Sequence, residues 1–97
     1  MKFEVYGKNG CPKCKSTMEK LALLIGKADG RDHVLVAYHD VETVEGMAEG
    51  AFNDVTNIPT TILRTETGEP MARWEGKLPP SVEVKAFLAS APGGPVQ

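Results

Sequence analysis

The chain reads as one α/β domain: a four-stranded mixed sheet with helices on both faces, in the order β-α-β-α-β-β-α. Three observations in the sequence predict it. Two short β-rich runs flank a stretch of helical periodicity. A second periodic stretch follows them. Two further strand-like segments, joined by a turn, then lead into a last helix. A strand–helix–strand unit is normally a right-handed parallel crossover, and a hairpin adds antiparallel strands, so the sheet is mixed.

"KFEVY" is rich in β formers and is closed by Gly7, which predicts a strand over 2–6. Cys14, Met18, Leu21 and Ile25 recur at helical spacing and share one face. Pro12 suits the first turn of that helix and Gly26 its stop. "HVLVAYH" predicts a strand over 33–39. Val44, Met47, Ala48, Ala51, Phe52 and Val55 form one apolar stripe, read as the core face of a second helix. Gly46 and Gly50 fall off that stripe and weaken the helix by roughly 1 kcal/mol each relative to alanine. "TTILRT" and "PMARWE" are strands joined through "ETGE". In "LPPSVEVKAFLAS" the two prolines are placed in the first turn of a last helix, with Val84, Phe87, Leu88 and Ala91 as its apolar face. Trp74 is read as sheet packing and Glu4 as a partly exposed strand residue. The domain is expected over 1–90, with a frayed tail over 91–97.

At 97 residues the chain affords one small core. A net charge of −2 argues against broad nucleic-acid binding. No stretch reaches the ~20 apolar residues of a membrane span. "MKFEVYG" has no apolar run before its first glycine, so it is not read as a secretory signal, and the expected compartment is the reducing cytosol. The charges are uneven. Residues 1–27 carry six lysines against Glu4 and Glu19, whereas residues 40–54 carry Asp40, Glu42, Glu45, Glu49 and Asp54 with no lysine or arginine. The cysteine end therefore reads as electropositive.

Both cysteines lie in "NGCPKCKS". A bridge between Cys11 and Cys14 would close a four-residue ring, which the chain-entropy model values at only roughly 2 kcal/mol, so it is a poor staple. A structural zinc site needs four ligands. His33 and His39 would be the other two, but on a strand they stand roughly 20 Å apart and cannot both close one site. Electron exchange fits better. Cys11 follows Gly10 at the start of a helix, where unpaired N–H groups and the positive dipole end favour a thiolate. Lys8, Lys13 and Lys15 add positive charge, and such surroundings bring a cysteine pKa from ~8.5 into the range ~3.5–7.5. Cys14, one turn further on the apolar face, is expected to be more buried and less ionised. A CxxC beside a βαβ pattern is a fairly specific redox signal.

"GCPKCKS" after the first strand and "NIPTTIL" before the hairpin resemble the thioredoxin/glutaredoxin superfamily, over residues 1 to about 90. The chain is most similar to the small glutaredoxin-like thioredoxins, which also carry a glycine and then prolines before the last helix, as in "WEGKLPP". The resemblance implies a thioredoxin fold and dithiol–disulfide exchange, with Cys11 attacking and Cys14 resolving. It implies a substrate surface of Lys8, Pro12, Lys13, Ile58, Pro59 and Gly76. Pro59 matches the family's cis-proline, and the Ile58 backbone would pair with an extended substrate strand. Lys8 matches a glutaredoxin lysine that contacts a glutathione carboxylate, but "EGKLPP" has a single glycine and no following Asp.

The expected partners are a disulfide-containing protein and a reductase of the thioredoxin-reductase type, with glutathione as the alternative. The expected protein is a monomer, and no cofactor, metal, nucleic acid or membrane partner is expected. Two other functions remain: a glutathione-dependent glutaredoxin, and a non-catalytic module that senses redox state or holds a metal.

Overall fold

The computed structural model describes residues 1–28 and 31–90; the tail expected over 91–97 lies outside them. The elements are β1 (Lys2–Gly7), α1 (Pro12–Gly26), a 3-10 turn (Arg31–His33), β2 (Leu35–Asp40), α2 (Val44–Phe52), β3 (Thr60–Arg64), β4 (Pro70–Glu75) and α3 (Ser81–Ala89). They build one sheet in the order β2-β1-β3-β4. β1 and β2 are parallel, joined by the α1 crossover, while β1–β3 and β3–β4 are antiparallel. The predicted order of elements and the mixed sheet are those observed.

Strand alternation sends Phe3 and Val5 to one face of β1 and Glu4 and Tyr6 to the other. On the first face they meet Leu63 and Trp74 of the hairpin, Leu21 of α1, and Val84 and Leu88 of α3. Each fully buried side chain of this size contributes roughly 1.5–3 kcal/mol. Trp74 packs edge-on to Phe87, with ring centroids 6.2 Å apart, and its indole N–H donates to Glu83 at 2.8 Å. Trp74 is thus a packing residue with its one polar atom satisfied.

The other face is polar. The Arg64 guanidinium donates to the Glu4 carboxylate at 2.7 Å, and Lys2 and His39 each stand 3.5 Å from its second oxygen. Arg64 also donates to Asn53, which donates to the Tyr6 hydroxyl at 3.1 Å, and the His39 ring stacks on Tyr6 at 4.6 Å. Glu4, expected to be partly exposed, is 8 % exposed. Burial works against its charge, but the Arg64 hydrogen bond and charge, with Lys2 and His39, outweigh that and hold its pKa below the usual carboxylate value.

α2 turns the opposite way from the reading of its apolar stripe. Val44, Met47 and Phe52 are 83 %, 60 % and 85 % exposed, while Gly46 and Gly50 are buried. The reason is close approach of backbone to backbone. A Cβ on Gly46 would land on the Asp40 carbonyl at the end of β2. Thr43 caps the helix from the same corner: its hydroxyl accepts from the Gly46 N–H at 3.0 Å and donates to the Asp40 carbonyl at 2.8 Å. The glycines are therefore the packing surface of α2, and the polar face beneath offers little to receive an apolar stripe.

Three boundaries also differ. α1 ends through Lys27 in a right-handed conformation, so Gly26 is its last residue rather than a left-handed stop. His33 lies in the 3-10 turn and only His39 lies on β2. Pro80 caps α3 from outside, and Pro79 precedes it, instead of both occupying the first turn.

Candidate active site

The cysteine loop leaves β1 at Gly7 and turns at Gly10, whose φ of +76° lies in the left-handed region that glycine occupies without strain. Cys11 caps α1, and Pro12 fills the first turn, where its missing N–H costs nothing. The Cys14 N–H donates to Cys11 Sγ at 3.2 Å, and the Lys15 N–H donates to the Cys11 carbonyl at 3.1 Å. The Cys11 sulfur is thus the acceptor for an orphan helix-start donor, in a place where negative charge is favoured.

Cys11 and Cys14 are joined as a disulfide, with Cα atoms 5.2 Å apart. Their surroundings differ: Cys11 is half-exposed, whereas Cys14 is 1 % exposed beneath the first turn of α1. One cysteine is partly open to solvent and the other is shielded.

A cavity of about 610 Å³ opens beside the pair on the β2 side of the sheet. Lys8, Pro12, Cys11 and Cys14 line it, with Lys15, Met18, Glu19 and Tyr38. Lys13 is exposed and is not among the lining residues; its carbonyl accepts the Thr17 hydroxyl at 2.8 Å. Ile58, Pro59 and Gly76 gather on the opposite, β3 side. Thr60 pairs with Tyr6, so Pro59 sits at the end of the sheet from which the cysteine loop departs. The Ile58–Pro59 bond is cis. The Gly76 N–H donates to the Pro59 carbonyl at 2.8 Å, with Gly76 at a φ of +71°. Lys8 and Pro12 thus line the cavity beside the disulfide, Ile58, Pro59 and Gly76 form a second group at the same end of the sheet, and Lys13 belongs to neither.

Tyr38 was not singled out in the sequence. It pairs with Val5 on β2, which brings its ring to the cysteine side of the sheet, and its hydroxyl donates to the Lys8 carbonyl at 3.3 Å. Burial, then the nearby Asp40 charge, raises its pKa. The available signal was strand alternation, which places Tyr38 on the same face as Val36. Among the described residues no group of three or more His, Cys, Asp and Glu side chains is placed to hold a metal ion. No described helix is long and apolar enough to cross a membrane.

No family model and no curated protein matches the chain. Solved structures do. Thioredoxin 1 from Thermosipho africanus is 21% identical, with 89% of this chain and 88% of that one covered and a TM-score of 0.68. A thioredoxin from Halobacterium salinarum, solved as a point mutant, is 22% identical over 99% of this chain and 77% of that one, with a TM-score of 0.72. A thioredoxin-like protein from Clostridium perfringens is 18% identical over 93% and 69%, with a TM-score of 0.76. The chain has the thioredoxin fold. Its paired cysteines sit where β1 passes into α1, and such a pair supports a redox role.

Proposed function

We propose that the protein is a thiol–disulfide oxidoreductase that reduces protein disulfides through Cys11 and Cys14. The observation that carries this reading is the asymmetry of the pair: Cys11 sulfur at a helix start, receiving a backbone N–H, and Cys14 sulfur buried one turn behind it.

In the reduced protein the Cys11 thiolate attacks a substrate disulfide. A Cys11–substrate bond forms, and the other substrate sulfur leaves as a thiolate that takes a proton from water. Cys14, deprotonated, then attacks Cys11 sulfur. The internal disulfide forms, and the second substrate sulfur leaves and is protonated. Two electrons have passed to the substrate, and a reductase or another thiol returns them, with no bound cofactor needed for the exchange itself. An extended substrate segment lies along the Ile58–Pro59 edge, next to Gly76. The cytosol, where such a dithiol is kept reduced, is the compartment this chemistry fits.

Protein disulfides are favoured over free glutathione. Lys8 meets one glutathione carboxylate, and an exposed pair of that kind is worth only about 0.2–1 kcal/mol. Missing one charge-assisted contact of ~1.5–3 kcal/mol costs at least about tenfold in affinity. Insulin reduction tests the reading. Turnover should exceed the dithiothreitol background and run faster with a thioredoxin-reductase-type electron source than with glutathione and its reductase. Background-level turnover defeats the proposal. Faster turnover with glutathione, specifically weakened by Lys8→Ala, makes the protein a glutaredoxin.

A further inference from the structure

We propose that Tyr38 is a positioning residue for Cys14, its phenol supplying the hydrogen bond that holds the reduced Cys14 sulfur as a thiolate for the resolving attack. The inference rests on the disulfide-exchange reading and assigns it a residue that the cysteine motif does not contain.

Gly7 makes the arrangement possible. A Cβ there would lie 2.6 Å from the Tyr38 hydroxyl and 2.7 Å from Cys14 Sγ. The absent side chain is the space those two atoms share, and any other residue would separate them. In the disulfide state the sulfur carries no charge, and the hydroxyl rests on the Lys8 carbonyl at 3.3 Å, a long and weakly held bond. On reduction the sulfur becomes the stronger acceptor as it ionises, and the phenol turns from the Lys8 carbonyl toward it across the gap that Gly7 leaves.

Cys14 needs such a donor. At 1 % exposure its sulfur has almost no access to water, and burial disfavours the thiolate. The other groups nearby do not fill the role. Lys8, Lys15 and Glu19 line the cavity but are exposed, so water and salt screen them. β1 presents Val5 and Gly7, which carry no side-chain donor; β3 presents Thr61, whose buried hydroxyl has no hydrogen-bond partner but is not among the atoms nearest the space at Gly7, as the Tyr38 hydroxyl is. The Thr17 hydroxyl is given to the Lys13 carbonyl. Burial and Asp40 keep the Tyr38 proton in place through neutral pH, so the phenol acts as a donor and not as a base. The Cys14 proton goes to solvent before the attack and Tyr38 keeps its own.

The test is the pH titration of both cysteines in the reduced protein, followed by the carbon-13 shift of each Cβ. Tyr38→Phe keeps the ring and removes the donor; Tyr38→Leu removes both. The Cys14 midpoint should rise by about one pH unit in both variants, a tenfold loss of thiolate at a given pH, with Cys11 unmoved. No rise, a rise with leucine alone, or an equal rise at both cysteines overturns the proposal. The titration needs no turnover, so its outcome is separate from that of the insulin assay. An inactive protein whose Cys14 midpoint still depends on Tyr38 loses the exchange reading and with it the resolving role, and keeps only the hydrogen bond.

Discussion

Under α1 and α3 the sheet carries Phe3, Val5, Leu63 and Trp74, all less than 5 % exposed; under α2 it carries Lys2, Glu4, Tyr6, His39 and Arg64. The first face is held by apolar burial, which is non-directional and tolerates small shifts. The second is held by a carboxylate–guanidinium pair and a glycine contact, which depend on geometry. The cysteine helix stands on the first face. Cys14 is shielded because α1 lies flat on that apolar layer through Thr17 and Leu21, and the cysteine pair inherits its unequal burial from the packing beneath.

The contrast can be broken from either side. Leu21→Ala removes a fully buried side chain of α1 and should cost about 2–5 kcal/mol in denaturant unfolding. Phe52→Ser, on the exposed stripe of α2, should stay within about 0.5 kcal/mol. If the two costs are equal, α2 packs through its apolar stripe after all.

Gly46→Ala comes next. An alanine there is a better helix former by about 1 kcal/mol. Its Cβ nevertheless meets the Asp40 backbone, which cannot swing aside, so the net change should be a loss of about 2 kcal/mol. A stabilised Gly46→Ala variant would show that the glycine face is not in contact.

Glu4→Gln should cost less, about 1–2 kcal/mol at neutral pH, since the Gln amide oxygen still accepts from the Arg64 guanidinium. Its pH dependence has a definite sign. The folded Glu4 pKa is lowered, so its contribution is present above the ordinary glutamate value and disappears as pH falls through the folded value. The wild-type and Glu4→Gln unfolding curves should therefore converge on acidification. A gap that is constant from neutral to acid pH would show that the Glu4–Arg64 ion pair contributes no stability.

The order of elements and the cysteine motif were legible because both are local. Strand alternation, helical spacing and the i, i+3 cysteines lie within a few residues of each other. The face that α2 buries was not legible. Periodicity locates an apolar stripe but says nothing of what receives it, and here the receiving surface was a carbonyl that only glycine can approach. Burial of Glu4 depends on Arg64, sixty residues away across the β1–β3 pair. Tyr38 meets the cysteines only through the parallel β1–β2 register, and the space it shares with Cys14 is the absence of a side chain on Gly7. Pro79 and Pro80 sit outside α3 because Pro80 supplies the extended capping residue, a boundary of one or two residues that composition alone does not place.

The proposed exchange requires two chemically unequal cysteines. Limited iodoacetamide labelling of the reduced protein at mildly acid pH, with the site of each adduct read by peptide mass, measures that inequality directly. Cys11 should be alkylated well before Cys14. Equal labelling, or labelling of Cys14 first, would contradict it.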